Sequence, residues 1–265
     1  MRRILHVSDL HFGRDRAELL RPLIDTINRL SPDLVAISGD FTQRARLGQY
    51  RAARTFLSHL EPPTISVPGN HDTPLDNLFE RLVRPWHRYR RYIDRNLEPS
   101  FEDEEISLAG VNTVNQYSWQ RGLFRSRAIR RVCAAFGRKH ERRRMHIVMV
   151  HHPLEHTPGV DKRLMRGARD ALDELHECGA DIVLSGHLHT WRAEPFADRS
   201  GLLLVQAGTS LSTRVRGEPN DFNLLSIEGR RVTVERYCAA SDATHFDLGH
   251  AATFEKVGDG WAQST

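Results

Sequence analysis

Acidic and histidine residues recur in this chain at a spacing that suits metal binding. Asp9 and His11 lie two residues apart, as do His187 and His189. Side chains two positions apart on an extended segment point to the same side, so each pair can chelate a cation. Carboxylate and imidazole donors without a thiolate favour Mn, Fe or Zn over Cu(I) or an iron–sulfur cluster. Either pair alone is weak evidence for a metal site, because an HxH pattern is expected about once by chance in a chain with 15 histidines.

Three further polar clusters have a similar composition. Asp40 follows a glycine, the run Gly-Asn-His-Asp occupies 69–72, and His151-His152 precedes a proline. Two cations about 4 Å apart, bridged by Asp40, could activate a water molecule and hold the oxygens of an in-line displacement at phosphorus. Any one of these motifs could be an ordinary turn at the end of a strand. The ordered combination favours hydrolysis of a phosphoester.

Each of these clusters follows a predicted β-strand. The first 70 residues alternate β-branched runs at 4–7, 34–38 and 64–67 with helical stretches at about 16–30 and 48–60. A β-α-β-α-β order requires a parallel sheet with right-handed crossovers. Loops at the carboxyl ends of such strands share one crevice. We therefore expect the clusters that follow these three strands to form one site.

A second series of strands completes the predicted fold. Apolar runs predict four strands and two intervening helices, the strands at 106–111, 146–150, 181–185 and 202–206 and the helices at about 126–138 and 166–178. A closing hairpin is expected from 222–227 and 231–237. We expect a single domain over residues 1–240, with an insertion at about 75–97. Residues 241–265 lack periodicity and predict a loosely packed tail.

Taken in order, the motifs DLH, GD, GNHD, HHP and GHLH resemble those of the calcineurin-like metallophosphoesterase superfamily, over roughly residues 4–210. The resemblance implies an α/β fold, a four-layer α-β-β-α sandwich of two mixed sheets flanked by helices, with the metal site at the carboxyl ends of the strands. It implies two divalent ions, one held by Asp9, His11, Asp40 and His189 and the other by Asp40, Asn70, His151 and His187. A hydroxide bridging the two ions would attack phosphorus in line.

His71 lies outside both implied metal sets. The resemblance assigns it to the phosphoryl oxygens and to protonation of the leaving alkoxide, a role that suits a side chain titrating near neutral pH. Phosphoprotein phosphatases of the superfamily pair this histidine with an acidic residue after Gly-Asp, where the present sequence has Gln43. The run Gly-Asp-Phe-Thr-Gln, with GNHD and HHP, is more similar to bacterial class III cyclic-nucleotide phosphodiesterases.

The expected reaction is therefore hydrolysis of 3',5'-cyclic nucleotides or of a related small phosphodiester. Alternatives are a hydrolase of a lipid-linked or nucleotide-sugar pyrophosphate, a nuclease and, in another class, a non-catalytic metal-binding scaffold like the retromer subunit of this superfamily. Scaffolds of that kind typically lose ligands or the catalytic histidine, and here these positions are all filled. Asn70, His71 and His152 are the expected substrate contacts, although His152 is equally well explained as a support for a neighbouring ligand. His6 and Asp72 are expected to be structural.

A basic and aromatic stretch at 84–95 lies within the expected insertion. It could line the cleft, stack a nucleobase or contact membrane headgroups, although a solvated helix explains it nearly as well. We expect substrate discrimination to depend on 75–123, through Trp86, Tyr89 or Trp119. The basic run at 138–144 is most simply an exposed turn, with nucleic-acid binding as the alternative.

Composition limits the class of protein further. The 265 residues are 39% hydrophobic and 27% charged, which suits a folded chain with its own core, and the net charge of +4 mildly favours an anionic substrate. No apolar run is long enough to span a bilayer. Cys133, Cys178 and Cys238 are far apart, so no disulfide framework is expected and the predicted location is the cytoplasm. The oligomeric state is not determined by these features.

Overall fold

The computed structural model describes residues 1–137, 144–156 and 163–264. In this part of the chain, seven strands form one sheet: β1 (Arg2–Val7), β2 (Leu34–Ile37), β3 (Thr64–Ser66), β10 (Asp221–Glu228), β11 (Arg231–Ala239), β12 (Phe246–Val257) and β13 (Gly260–Ser264). Their order in space is β13-β12-β11-β10-β1-β2-β3. β1, β2 and β3 are parallel, and the remaining neighbours are antiparallel, so the sheet is mixed.

Six described strands form the second sheet: β4 (Ser100–Glu102), β5 (Ile106–Gly110), β6 (Met145–Met149), β7 (Ile182–Ser185), β8 (Arg192–Pro195) and β9 (Leu203–Gln206). They lie in the order β4-β5-β6-β7-β9-β8. The four inner strands are parallel, whereas β4 and β8 pair antiparallel at the two edges. The strand series predicted from the sequence is confirmed, and the two edge strands are additions to it.

Helices cover the outer face of each sheet. The described helices are α1 (Ala17–Leu30), α2 (Leu47–Ser58), α3 (Leu78–Val83), α4 (His87–Tyr92), α5 (Ser126–Phe136) and α6 (Ala168–Cys178). α1 and α2 pack on the first sheet, and α5 and α6 pack on the second. In α1 the buried residues include Leu19, Leu23 and Ile27, the three-to-four-residue spacing of an amphipathic helix.

Strand alternation explains how both faces of each sheet become buried. On β1, Ile4 packs between the sheets while Leu5 packs beneath α1 and α2. On β6, Ile147 joins the same inter-sheet core while Val148 packs beneath α5 and α6. Successive side chains of a strand point to opposite faces, so each inner strand contributes to two cores. The predicted four-layer α-β-β-α sandwich of two mixed sheets is confirmed.

The expectation of a loosely packed tail after residue 240 is wrong. β12 and β13 extend the first sheet by two antiparallel strands. Trp261 is 5% exposed, and its indole nitrogen donates a hydrogen bond to the Asp181 carbonyl, 3.0 Å away, next to β7 of the other sheet. Lys256 forms an ion pair with the Asp181 side chain. The chain end is therefore a structural part of the sandwich.

The sequence indicated no disulfide framework, yet one pair of cysteines is bonded. Cys133 in α5 and Cys178 in α6 form a disulfide, with their Cα atoms 5.3 Å apart. The two residues are 45 positions apart in the chain, and only the packing of the two helices on the same sheet brings them together. Cys238 on β11 is a free cysteine.

Candidate metal centre

The seven predicted metal ligands lie at the carboxyl ends of parallel strands. They are at most 9% exposed, and they follow β1 (Asp9, His11), β2 (Asp40), β3 (Asn70), β6 (His151) and β7 (His187, His189). Because both sheets present these strand ends to the same crevice, the seven side chains are brought together.

Asp9, His11 and His189 form the first group of candidate ligands. The Oδ1 atom of Asp9 lies 3.3 Å from Nε2 of His11 and 3.1 Å from Nε2 of His189. The two imidazole Nε2 atoms are 3.2 Å apart. These three donor atoms lie within 4.8 Å of one another, which is compact enough for a single cation.

Asp40, Asn70 and His151 form the second group. Nε2 of His151 is 3.3 Å from Oδ2 of Asp40 and 3.3 Å from Oδ1 of Asn70. The ring of His187 packs against His151 with the ring centroids 5.2 Å apart, and its backbone N–H donates to Oδ2 of Asp9. His187 is thus placed beside this group while its main chain is held by the first.

Asp40 connects the two groups. Its Oδ2 atom lies 3.5 Å from Nε2 of His11 and 3.3 Å from Nε2 of His151. Its Oδ1 atom accepts a hydrogen bond from the backbone N–H of His71 at 2.8 Å. One carboxylate oxygen therefore faces both groups, while the other is held by the main chain.

The donor chemistry of these groups fits a cation. Nδ1 of His189 donates to the Arg214 carbonyl at 2.8 Å, and Nδ1 of His151 donates to the Ser38 carbonyl at 2.8 Å. Since a carbonyl only accepts, the neutral rings carry their hydrogen on Nδ1 and present lone pairs at Nε2 to Asp9 and Asp40. Facing lone pairs repel each other unless a proton or a metal ion lies between them. This is the arrangement that divalent-metal ligands require.

The electrostatics of the crevice also favour positive charge. Burial alone would raise the pKa of Asp9, yet His189 and His11 hold it well below its usual range. Burial opposes protonation of His151, but the Asp40 carboxylate raises the pKa of that imidazole to about 9. Both effects mean that two ionised carboxylates dominate the field at the ligand atoms.

The backbone at the ligands is in an uncommon conformation. Five of them have a positive φ angle, namely Asp9, His11, Asp40, His187 and His189, with values between 49° and 72°. Residues other than glycine seldom adopt this left-handed region, which costs about 1 kcal/mol or more per residue. Residues strained in this way cluster at functional sites. The surrounding hydrogen bonds maintain the strain, for example the one from the His11 N–H to the Asp40 carbonyl.

Gly69 is required for the close approach of the third loop. A Cβ atom at this position would overlap the carboxylate of Asp40. Asn70, His71 and Asp72 form a short 3-10 helix directly after it. The glycine of the GNHD run therefore lets the loop carrying Asn70 and His71 pack against Asp40.

His71 lies at the edge of the centre and is only partly buried. Its Nδ1 atom donates to the backbone carbonyl of Gln43 at 2.7 Å, so Nε2 is the atom that faces the crevice. Its ring packs edge-on against His11, with centroids 4.9 Å apart. At the position where the resemblance led us to look for an acidic partner, a main-chain oxygen of Gln43 holds the histidine.

Arg214 is a site residue that the sequence analysis missed. Its Nη1 atom donates to Nε2 of His71 at 3.2 Å, and its backbone carbonyl accepts from His189. It lies in the loop between β9 and β10, 25 positions after His189 in the chain. No motif marks it, and its sequence signal is only that of a basic residue in a loop after a parallel strand.

His6 and Asp72 are structural, as expected. Asp72 accepts hydrogen bonds from the backbone N–H groups of Phe41, Thr42 and Gly69. Burial, followed by the neighbouring Asp40, raises the pKa of Asp72 to about 7. His6 bonds to the Ser38 hydroxyl at 2.9 Å, and burial lowers its pKa to about 3.

His152 is buried beside the second group. Its Nδ1 atom lies 2.8 Å from the Thr113 hydroxyl, and its ring is 4.6 Å from that of His187. Its Nε2 atom has no hydrogen-bond partner among the described residues. Both earlier interpretations of His152, support and substrate contact, stay predictions.

The aromatic residues proposed for substrate discrimination lie in three different environments. Trp119 is 59% exposed, and its carbonyl accepts from Nδ2 of Asn70 at 3.3 Å, which places it at the rim of the centre. Tyr89 is fully buried and bonds to the Ser66 hydroxyl, so its expected role in substrate contact is wrong. Trp86 lines a separate cavity. Of the basic run at 138–144, only Arg144 is among the described residues.

The profile of the calcineurin-like phosphoesterase family matches residues 2–191. A protein of Synechococcus named as a probable cyclic nucleotide phosphodiesterase is 27% identical over 70% of this chain and 72% of its own length. One of Rhodopseudomonas palustris with the same description is 24% identical over 95% of this chain and 97% of its own. Glycerophosphodiester phosphodiesterase GpdQ of Enterobacter lignolyticus is 32% identical, but only over 31% of this chain and 33% of that protein.

A solved structure agrees on the fold. Purple acid phosphatase PPD1 from yellow lupin superimposes with a TM-score of 0.69 at 12% identity, covering 95% of this chain and 53% of that chain. The fold and the clustered donors define a metal-dependent phosphoester hydrolase. The chain belongs to the calcineurin-like phosphoesterase family. Among the described residues, each helix is too short or too polar to cross a bilayer.

Proposed function

We propose that this enzyme is a dinuclear phosphodiesterase that hydrolyses 3',5'-cyclic nucleotides or a closely related small phosphodiester. The observation that carries the dinuclear proposal is the position of Asp40, whose Oδ2 atom faces His11 on one side and His151 on the other. A single carboxylate oxygen that faces both groups of candidate ligands suits two cations that share it.

The proposed ligand sets follow from the two groups. Asp9, His11, Asp40 and His189 would hold one ion, and Asp40, Asn70, His151 and His187 would hold the other. Mn, Fe and Zn suit this mixture of carboxylate, amide and imidazole donors. Bound ions of this kind would polarise the phosphoryl oxygens and lower the pKa of a bound water.

The chain's own residues would orient the phosphoryl group. The Arg214 guanidinium donates to Nε2 of His71, and guanidinium groups bind phosphoryl oxygens with charge-assisted hydrogen bonds. We infer that, when substrate binds, the Arg214 guanidinium leaves His71 and contacts the phosphoryl oxygens instead. Nε2 of His71 would then face the leaving group instead of the guanidinium.

His71 would complete the reaction as a proton donor. Attack by water forms one new phosphorus–oxygen bond and breaks the ester bond to the sugar, whose oxygen needs a proton. The Nδ1–H bond to the Gln43 carbonyl fixes the ring so that a proton on Nε2 is directed toward the crevice. Asp40 accepts a hydrogen bond from the backbone N–H of His71. This bond keeps His71 in a fixed position relative to both ligand groups.

The substrate proposal rests on two relatives described as probable cyclic nucleotide phosphodiesterases. The match to one of them extends over nearly the whole length of both proteins. The shorter match to a glycerophosphodiester phosphodiesterase makes glycerol phosphodiesters the second candidate. Both are small, singly charged diesters that one phosphoryl site could accept.

A substrate panel tests this proposal. Purified protein loaded with Mn would be assayed with cyclic AMP, cyclic GMP, glycerophosphocholine, a nucleotide sugar, a lipid pyrophosphate and single-stranded DNA. We expect the highest kcat/KM on a cyclic nucleotide. Higher efficiency on glycerophosphocholine would shift the assignment to the second candidate, and preference for a pyrophosphate or DNA would refute both.

A further inference from the structure

A second positively charged cavity lies outside the metal centre. It has a volume of about 350 Å³, and its wall carries four arginines, Arg90, Arg95, Arg125 and Arg127. None of the candidate metal ligands contributes to this wall. The four arginines come from α4, the segment after it and the start of α5, which are separate parts of the chain.

The positive charge in this cavity is poorly neutralised. Among the described residues, Arg90, Arg95 and Arg127 form no ion pair. Glu98 is the acidic residue of the wall, and its two oxygens already contact the Arg131 guanidinium at 3.6 Å and the Asn112 N–H at 3.1 Å. Four guanidinium groups thus face one carboxylate that has other partners.

Arg125 is close enough to Arg127 for their positive charges to repel each other. Burial lowers the pKa of its guanidinium and repulsion from Arg127 lowers it further, whereas the Glu98 carboxylate acts in the opposite direction. Its hydrogen bonds to the Asn112 and Val114 carbonyls are long, at 3.4 Å each. The side chain therefore retains donor capacity for an anion.

The start of α5 reinforces the same field. Arg125 is the N-cap of this 11-residue helix, no side chain caps it, and its first turn contains no acidic residue. The free N–H groups and the dipole of a helix N-terminus attract anions. Arg125 and Arg127, at this end of the helix, both line the cavity.

The remaining wall suggests what else the anion carries. Trp86 offers an aromatic surface, and Asn96 and Gln116 offer amide groups. Aromatic faces stack planar bases, and amides provide donors and acceptors for them. We propose that this cavity is a second binding site, separate from the metal centre, for a phosphate-bearing anion.

The cavity adjoins the loop that reaches the metal centre. Asn112, Val114 and Gln116 line it, and a few residues further along the same loop the Trp119 carbonyl contacts Asn70. Arg81, which is 2% exposed, holds this loop by donating to the carbonyls of Gln116 and Ser118. An occupant of the cavity would therefore contact the loop that supports a candidate ligand.

A matched pair of double variants tests the proposal. Arg90→Ala/Arg127→Ala removes two exposed guanidinium groups from the wall. Arg91→Ala/Arg130→Ala removes two exposed arginines from the same helices that do not line the cavity, so the charge change is identical. Calorimetric titration of the Mn-loaded protein with AMP, and separately with inorganic phosphate, would report affinity and stoichiometry.

We expect the affinity of the binding equivalent that belongs to the cavity to fall at least about tenfold in Arg90→Ala/Arg127→Ala, since two charge-assisted contacts are lost. The same affinity should be unchanged in the control. Tighter binding of AMP than of inorganic phosphate would identify a nucleoside phosphate, and equal affinities would identify the free anion. Hydrolysis of bis(p-nitrophenyl) phosphate should persist in both variants. Equal isotherms in all three proteins, or binding only to anionic lipid vesicles, would overturn the proposal.

Discussion

The Nη1 atom of Arg214 lies 3.2 Å from Nε2 of His71, although the two residues are 143 positions apart in the chain. The same arginine accepts a hydrogen bond from His189 through its backbone carbonyl. One residue thus contacts the proposed proton donor through its side chain and a proposed metal ligand through its main chain. These two roles can be separated by mutation.

Arg214→Ala should lower kcat/KM by about a hundredfold, because it removes the charged donor proposed for the phosphoryl oxygens. Metal content should be retained, since the backbone carbonyl that holds His189 remains. Arg216→Ala is the matched control, an exposed arginine in the same loop. An equal fall of kcat/KM in both variants, or a loss of metal from Arg214→Ala, would count against phosphoryl binding by Arg214.

His71→Ala should lower kcat by about 10² to 10⁴ on a cyclic nucleotide, the range expected for a positioned proton donor. The loss should be much smaller on bis(p-nitrophenyl) phosphate, because p-nitrophenolate leaves without protonation. His87→Ala, an exposed histidine on α4, is the control and should leave kcat unchanged on both substrates. If His71→Ala retains its metal and its kcat falls by the same factor on both substrates, His71 only positions the phosphoryl group.

Trp119→Ala should change KM by different factors for different substrates, because Trp119 is exposed at the rim next to Asn70. Tyr89→Phe should leave the ratio of KM values unchanged and lower the free energy of unfolding by about 1 kcal/mol, since it removes a buried hydrogen bond to Ser66. Steady-state kinetics on two substrates and urea unfolding measure these effects. A uniform change of KM in Trp119→Ala would place discrimination elsewhere.

Trp261→Ala should lower the free energy of unfolding by about 3 kcal/mol, the usual cost of truncating a buried tryptophan. The indole is 5% exposed and bonds to the Asp181 carbonyl across the sandwich. Gln263→Ala, on the same strand but exposed, should have little effect. Urea unfolding that does not distinguish the two variants would mean that β13 contributes nothing to the stability of the sandwich.

The position of each candidate ligand could be predicted because it follows a recognisable strand. Asp40 and His187 come within three residues of the ends of apolar strands, and parallel strands bring such residues to one edge. The left-handed backbone at these residues could not be predicted, since it depends on hydrogen bonds between loops that are distant in sequence.

The missed elements lack the signals on which prediction depends. β12 has five exposed residues in succession before its buried Ala252 and Phe254, so it has little two-residue periodicity. β8, with the sequence Arg-Ala-Glu-Pro, is a short polar edge strand. Arg214 carries no motif, and the Cys133–Cys178 disulfide depends on helix packing. In each case tertiary contacts, not local sequence, determine the outcome.

The metal content of the wild type and of Asp40→Ala, measured by elemental analysis together with activity, tests the central claim most directly. Asp40 faces both ligand groups through one oxygen, so its removal should affect both ions. We expect two divalent ions per wild-type chain, less than one in Asp40→Ala with no detectable hydrolysis, and full content in Asp25→Ala, an exposed acidic control on α1. Two ions retained in Asp40→Ala, or hydrolysis by wild-type protein stripped of metal, would contradict the dinuclear account.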